Sequence, residues 1–265
     1  MGYDILIMAA GLGKRMNSNV PKPVVSLLDK PMIIYILETI ATLSTLPDKI
    51  YIITYHKSHE VIINICKDLL SSSNIVCLKQ SIVWLQQQIE PLGTGSSVQE
   101  AVKQIPISDV SKPLLILSSD VPMISRDTIQ SMLDTYKDDG SKTKAVILTD
   151  YIENPTGYGR IIKDINGEFL NIVEEKDANV DEKAIKIVNT GIYCISYCFL
   201  RNELFQIDNK NAAGEYYLTD LFTILQKNKE KICLAEIKKT KSYELFNINT
   251  QAQLRELEGL IIAHL

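Results

Sequence analysis

The chain has 265 residues, 46% hydrophobic and 23% charged, enough apolar material for a real core and near the upper end for one compact domain. Twenty-eight Lys plus Arg against 32 Asp plus Glu give a formal net charge of -4, and the scattered basic residues exclude the basic stripe of a nucleic-acid binder. Apolar runs such as 50–54 and 114–117 are too short to span a bilayer and Asp4 interrupts any secretory leader, so a cytoplasmic location without a membrane partner is expected.

In chain order, residues 3–8 read as a buried strand, 32–43 as a helix, 49–54 as a strand and 58–70 as a helix, with Ser58 as its cap and Glu60 in its first turn. The alternation continues through a strand at 75–78, a helix over 94–104, a strand over 114–118, a helix over 125–137 and a strand over 144–148. Such repetition predicts an α/β, Rossmann-like, mostly parallel sheet flanked by helices on both faces. After about residue 150 the pattern changes. Segments 159–163 and 169–174 flank Asn166-Gly167, a tight-hairpin signal; 191–196 and 232–237 add strands, 217–227 a helix, and a terminal helix starts at Thr250. The expectation is a single domain over 1–265. Its nucleotide-binding half runs to about 150, a small antiparallel substrate subdomain over about 151–250 is laid against it, and a C-terminal helix covers 250–265. The five cysteines, Cys66, Cys77, Cys194, Cys198 and Cys233, are odd in number and form no Cys-x-x-Cys, so they read as reduced residues rather than disulfides or zinc ligands.

Ligands of open parallel sheets bind at the carboxyl ends of strands, which directs attention to the loop after Met8. Gly11 and Gly13 let the backbone approach phosphate, and Lys14, Arg15 and Lys22 place three cations within nine residues. A dinucleotide fingerprint starting at Gly11 would need glycine in place of Met16. A P-loop ending at Gly13-Lys14 would need glycine for Met8 and Ser or Thr for Arg15, so both motifs fail. On spacing alone, the glycines serve equally as a surface turn with solvated basic neighbours.

The pattern Ala9-Ala10-Gly11-x-Gly13-x-Arg15-Met16 followed by Pro21-Lys22 resembles the signature loop of sugar-1-phosphate nucleotidyltransferases. Further segments resemble family motifs in order: Pro91-Leu92-Gly93-Thr94-Gly95, Ser118-Ser119-Asp120-Val121-Pro122, Gly157-Tyr158-Gly159-Arg160, Val173-Glu174-Glu175-Lys176, Asn189-Thr190-Gly191, Tyr216-Tyr217-Leu218-Thr219 and Asn247-Ile248-Asn249. They are most similar to the uridylyltransferase domain of bacterial bifunctional N-acetylglucosamine-1-phosphate uridylyltransferases. Those enzymes continue into a β-helical acetyltransferase domain that this sequence does not enter. The resemblance implies transfer of a uridylyl group from UTP to N-acetylglucosamine 1-phosphate, with Mg2+ as cofactor. It places Met8, Ala9, Ala10, Gly11, Gly13, Gln88, Gly93 and Thr94 on the nucleotide and Arg15 and Lys22 on the phosphates. Asp120 and Asn249 would hold the metal, and Gly159, Glu174, Asn189, Tyr217 and Thr219 the amino sugar.

Taken singly, these residues have plainer readings. Asp120 suits a turn before Pro122, Asn249 a helix cap, Lys22 a solvated loop, and Tyr216 and Tyr217 ordinary core aromatics. The match also departs from the family. Ser118 and Ser119 replace a common Tyr-Gly before the metal aspartate, Pro91 a base-contacting glutamine, Ser96-Ser97 a His-Ala, and Lys14 a threonine. Competing readings are UTP or dTTP with glucose 1-phosphate and, from another class, a catalytically silent nucleotide-sugar binding module. Oligomeric state is not readable from the chain.

Overall fold

The computed structural model describes residues 2–71, 73–106, 112–138, 142–237 and 243–264. Strand β1 (Asp4–Ala9) lies between β4 (Lys49–Tyr55) and β6 (Pro113–Ser118), parallel to both, and β5 (Ile82–Gln87) extends the parallel set beyond β4. The chain leaves β1 for β4 on one side and later returns to fill the other with β6. The crevice beyond the carboxyl ends of β1 and β6 is therefore a topological switch point, where open sheets bind ligands.

Alternation along each strand sorts side chains onto two faces. Ile5, Ile7, Ile50, Ile52, Leu115 and Leu117 join one core, covered by α1 (Met32–Ala41), α2 (His56–Leu69) and α4 (Arg126–Lys137). Leu6, Ile53, Leu114 and Ile116 face a second core under α3 (Thr94–Gln104), α6 (Tyr197–Glu203) and α7 (Asp220–Lys227). A short pair, β2 (Ser26–Leu27) with β3 (Lys30–Pro31), forms its own two-stranded sheet. Its Leu27 packs in a third cluster with Met16, Met32, Ile248 and Leu254, which seats α8 (Gln251–His264) beside the glycine loop. Among the described residues no helix is long and apolar enough to cross a membrane.

The antiparallel strands expected after residue 150 are present, and they join the parallel half as part of the same sheet. Strand β10 (Ile187–Ser196) runs antiparallel to both β6 and β7 (Thr143–Tyr151), and β11 (Lys231–Glu236) adds to β7 in parallel. The hairpin of β8 (Gly159–Lys163) and β9 (Phe169–Val173) branches from the start of β10. At its turn Gly167, with φ 83°, donates to Asp164 O at 3.0 Å, and Asp164 N donates to Glu168 O at 2.8 Å, so the Asn-Gly signal marks a real hairpin. A four-residue helix, α5 (Val180–Lys183), follows with an Asn179–Glu182 capping box.

Three local expectations change. Residues 75–78 are not a strand but part of a 3-10 turn, Ser73–Leu78. Ile75 and Leu78 are buried while Val76 and Cys77 are exposed, a spacing of three that fits a 3-10 turn and not a strand. The strand lies later, at β5, where Gln86 and Gln87 dilute the apolar signal. Helix α2 begins at His56, so Ser58 is inside it and donates to Tyr55 O at 3.1 Å instead of capping. The helix expected from Tyr217 begins at Asp220 because the preceding residues are engaged elsewhere: Tyr216 N donates to Leu92 O at 2.8 Å and Leu218 N to Thr94 Oγ1 at 3.2 Å.

Candidate active site

The switch-point crevice is a cleft of about 600 Å3, with Met8, Ala10, Gly11, Gly13, Arg15, Lys22, Gly93, Thr94, Asp120 and Asn249 all on its wall. Gly13 has φ 60°, and a Cβ there would stand 2.8 Å from Lys22 Cβ, so the loop needs glycine for its conformation and for the approach of the lysine. Pro21 and Pro23 flank Lys22 in a 3-10 turn, Lys22–Val24, that holds the side chain over the cleft floor, where it is only 10% exposed.

There the Lys22 ammonium donates to Asp120 Oδ2 at 2.5 Å and to Asn249 Oδ1 at 2.9 Å, and Arg15 Nη2 donates to the same amide oxygen at 3.1 Å. Three distant segments thus converge on one point of charge. The plainer reading of Asn249 as a helix cap fails: Gln253 N donates to Thr250 Oγ1 at 3.2 Å, so Thr250 is the cap and the Asn249 side chain faces the cleft. Asp120 is likewise no mere turn residue. Among the described residues its carboxylate caps no backbone and meets Lys22 and Ser118, while its carbonyl accepts from Ile248 N at 2.9 Å and ties the strand end to the Asn249 segment.

The donor set fits a magnesium ion. Asp120 and Asn249 present a carboxylate and an amide oxygen, both hard donors, to one shared cation, the Lys22 ammonium. Among the described residues no three of His, Cys, Asp and Glu cluster as a self-sufficient metal cage. Magnesium suits such a site, since it takes one or two protein oxygens and fills its octahedron with phosphate oxygens and water.

The opposite wall is built from residues 92–95. Gly93 has φ 90°, and a Cβ there would come within 2.6 Å of Tyr216 O, so a side chain at this position would strain the loop and part it from residues 214–216. Two nucleotide candidates stand apart from the cleft lining. Ala9 is buried in the core beneath the loop, and Gln88 is exposed, with its amide donating to Gln86 Oε1 at 2.5 Å.

Of the five sugar candidates, four gather around the base of the hairpin. Gly159 and Asn189 are register partners across β8 and β10, and Thr219 Oγ1 donates to Glu174 Oε1 at 2.8 Å. A Cβ on Gly159 would stand 3.2 Å from Glu174 Oε2, so glycine leaves that carboxylate its space. Asn189 is buried, accepts from Gly191 N at 3.3 Å and donates to the Tyr193 hydroxyl at 2.8 Å. Burial holds the Glu174 carboxyl above its usual range, opposed by the Thr219 hydroxyl. Tyr217 lines a separate cavity of about 400 Å3 together with Glu174 and Asp177, and burial and then the charges of Asp177 and Glu174 raise its hydroxyl pKa. The Tyr158 hydroxyl pKa is raised by burial and, to a lesser degree, by the charges of Asp150 and Asp120.

Beside that second cavity, burial and the charges of Asp208 and Asp177 push Asp220 up to about 6 from 3.8. The folded carboxyl then holds its proton more tightly than the unfolded one. Below the ordinary value the site costs nothing; as pH rises from about 4 to 6 the cost of charging it grows, and above 6 it is complete. Asp220→Asn is therefore expected to raise the thermal midpoint near pH 8 by about 2 °C, with the gain vanishing near pH 4. A gain that is equal at both pH values would contradict this.

Sequence reasoning gave no role to Arg160 beyond its place in a motif. It is 1% exposed, binds Glu175 Oε2 at 2.6 Å and also donates to Tyr158 O, while Gly157 N donates to the same Glu175 oxygen at 3.1 Å. This pair of a buried arginine and a partly exposed glutamate fixes the loop that presents Gly159, and no feature of a single sequence distinguishes it from an exposed arginine. The exposed ion pair of Lys14 Nζ with Glu90 Oε1, at 3.2 Å, joins the glycine loop to the opposite wall; it too is invisible in sequence, because its partners come from separate loops.

Residues 5–242 match the nucleotidyl transferase family. The bifunctional protein GlmU of Francisella tularensis subsp. novicida (strain U112) and that of subsp. tularensis (strain WY96-3418) are each 37% identical to the chain over 258 residues. The match covers 97% of this chain and 51% of each relative, so the chain spans about half the length of the curated relatives it matches. Among solved structures, UDP-glucose pyrophosphorylase complexed with UDP-glucose has a TM-score of 0.74 at 18% identity, covering 100% of both chains. The apo form of UDP-glucose pyrophosphorylase has a TM-score of 0.73 at 17% identity over 100% of this chain and 99% of that one. At such identities the likeness is one of fold, the nucleotide-diphospho-sugar transferase fold. With a family match over nearly its whole length, and a glycine loop, a lysine and an aspartate meeting at the switch point, the chain belongs to the nucleotidyl transferase family.

Proposed function

We propose that the chain is a sugar-1-phosphate uridylyltransferase that joins UTP and N-acetylglucosamine 1-phosphate into UDP-N-acetylglucosamine and releases pyrophosphate. The observation that carries this reading is the convergence of Lys22, Asp120 and Asn249 on one point in a glycine-walled cleft. In this reading residues 1–150 carry most of the nucleotide site and 151–250 most of the sugar site.

An oxygen of the sugar phosphate attacks the α-phosphorus of UTP. A new O–P bond forms, the bond from that phosphorus to the bridging oxygen breaks, and its electron pair leaves with pyrophosphate. A phosphate monoester has its second pKa near 6, so at neutral pH the attacking oxygen has no proton to lose and no general base is required. The obstacle is repulsion between two polyanions, and the chain meets it with fixed charge and geometry. Lys22 and Arg15 stabilise the negative charge on the α-phosphate and on the departing pyrophosphate. Asp120 and Asn249 would hold the magnesium ion, which when bound supplies further neutralisation of phosphate charge. Backbone N–H groups of the loop at Gly11 and Gly13 face the phosphates. The half-buried Glu174 carboxyl, with Asn189 and Thr219, offers the hydrogen bonds that sugar hydroxyls and an acetamide demand once dehydrated.

The choice of amino sugar rests on the Gly-Tyr-Gly-Arg and Asn-Thr-Gly segments. Purified protein with magnesium and UTP is expected to release pyrophosphate faster with N-acetylglucosamine 1-phosphate than with glucose 1-phosphate. Equal rates would overturn the sugar assignment, and the other nucleoside triphosphates test the uracil assignment, on which Pro91 bears. No pyrophosphate from any pairing would instead mark a silent binding module.

A further inference from the structure

We propose that Ser118 is a positioning residue that fixes the Asp120 carboxylate for the divalent ion, an inference resting on the reading of Asp120 as a metal ligand. Ser118 closes β6, opposite Met8 of β1, and its Oγ donates to Asp120 Oδ1 at 2.6 Å. That distance belongs to the short, charge-assisted class of O–H···O bonds to a carboxylate. The other oxygen, Oδ2, is held by Lys22.

The backbone around Asp120 is already pinned. Ser119 N donates to Met8 O at 3.0 Å, Val121 N to Ser118 O at 3.2 Å, and Ile248 N to Asp120 O at 2.9 Å. What remains free is the rotation of the carboxylate about its own two side-chain torsions, and Ser118 and Lys22 take one oxygen each. Their roles then diverge. The Lys22 ammonium is shared with Asn249 and, in the proposed reaction, with phosphate. Ser118 Oγ makes its bond to Asp120 from the rigid end of a core strand, and this bond persists whichever way the lysine turns. With Oδ1 taken by a hydroxyl donor, Oδ2, now held by Lys22, is the oxygen that would be left for the ion. Glycine or alanine at 118 would leave this orientation to Lys22 alone.

The test compares Ser118→Thr with Ser118→Val, which share a shape and differ in the hydroxyl, alongside Ser118→Ala as a second hydroxyl-free variant. Loss of a hydrogen bond to a charged group corresponds to about a tenfold change. Val and Ala are thus expected to raise the magnesium concentration giving half-maximal pyrophosphate release about tenfold, with the rate at saturating magnesium within about threefold of the unaltered protein. Thr is expected to keep it within about twofold. Manganese binding, followed by electron paramagnetic resonance on protein with UDP-N-acetylglucosamine and no turnover, is expected to weaken by the same factor for Val and Ala. Equal metal dependence for Thr and Val, whether both are normal or both impaired, would overturn the positioning role while leaving the proposed reaction standing. An unaltered protein that releases no pyrophosphate at any magnesium concentration would overturn the proposed reaction itself.

Discussion

Replacing Asp120 by alanine is expected to lower the rate of pyrophosphate release at least a thousandfold while leaving the fold in place. Among the described residues the carboxylate is the one anionic side chain bonded to Lys22, and it is the harder of the two oxygens that meet there. Its removal would deprive the proposed metal of its charged anchor, and metal stabilisation of phosphoryl charge contributes several kcal/mol to such reactions; about 4 kcal/mol corresponds to a thousandfold. The competing consequence is structural. Removing one partner of a buried ion pair costs about 3–5 kcal/mol when the other charge stays buried and unpaired. Here the side chains are 10% and 16% exposed on the wall of an open cleft, so the lysine can turn into water, and that figure is a ceiling. The strands beneath, with Leu115, Ile116 and Leu117 fully or almost fully buried, do not depend on it. The thermal midpoint should therefore fall by only a few degrees while steady-state assays show the loss of turnover. An active Asp120→Ala protein would remove this residue from the metal site.

Replacing Lys22 by methionine is expected to cost about a hundredfold to a thousandfold in kcat, the range seen when one preorganised donor to developing negative charge is lost. Methionine keeps the length of the apolar stem, which is nearly enclosed between Pro21 and Pro23, so packing changes little. The division between kinetic constants is informative. If Lys22 acts on charge that grows during the reaction, kcat and kcat/KM should fall by similar factors; a raised KM for UTP with unchanged kcat would show a role in ground-state binding only. Arginine at 22 is not expected to rescue. Its planar guanidinium cannot reproduce a point charge held 2.5 Å from one oxygen and 2.9 Å from another.

The parallel half of the fold was legible because its strands are continuous apolar runs and its helices carry apolar stripes at helical spacing. Ile5, Leu6 and Ile7 go to two different cores, yet all three are buried, which is what a strand covered on both faces requires. The strand at 82–87 escaped notice because it ends in glutamines, and Ile75 and Leu78 imitated a strand by being apolar four residues from end to end. The start of α7 was misplaced because propensity carries no information about long-range pairing: residues 216 and 218 bond to the 92–94 loop, more than a hundred positions earlier. The residues proposed to meet phosphate and metal were singled out by the family resemblance, not by spacing alone, and the structure brings Arg15, Lys22, Asp120 and Asn249 together. Motif spacing could not show that Tyr217 shares a cavity with Asp177 or that Arg160 is buried against Glu175, since both depend on which partner the fold supplies.

The most direct test is a crystal structure of the protein grown with manganese and UDP-N-acetylglucosamine, with anomalous difference density measured at the manganese edge. The expected result is a peak within coordination distance of both the Asp120 carboxylate and the Asn249 amide oxygen, with Lys22 turned toward the α-phosphate. A peak held by other protein groups, or by the diphosphate alone with both side chains directed elsewhere, would contradict the assignment.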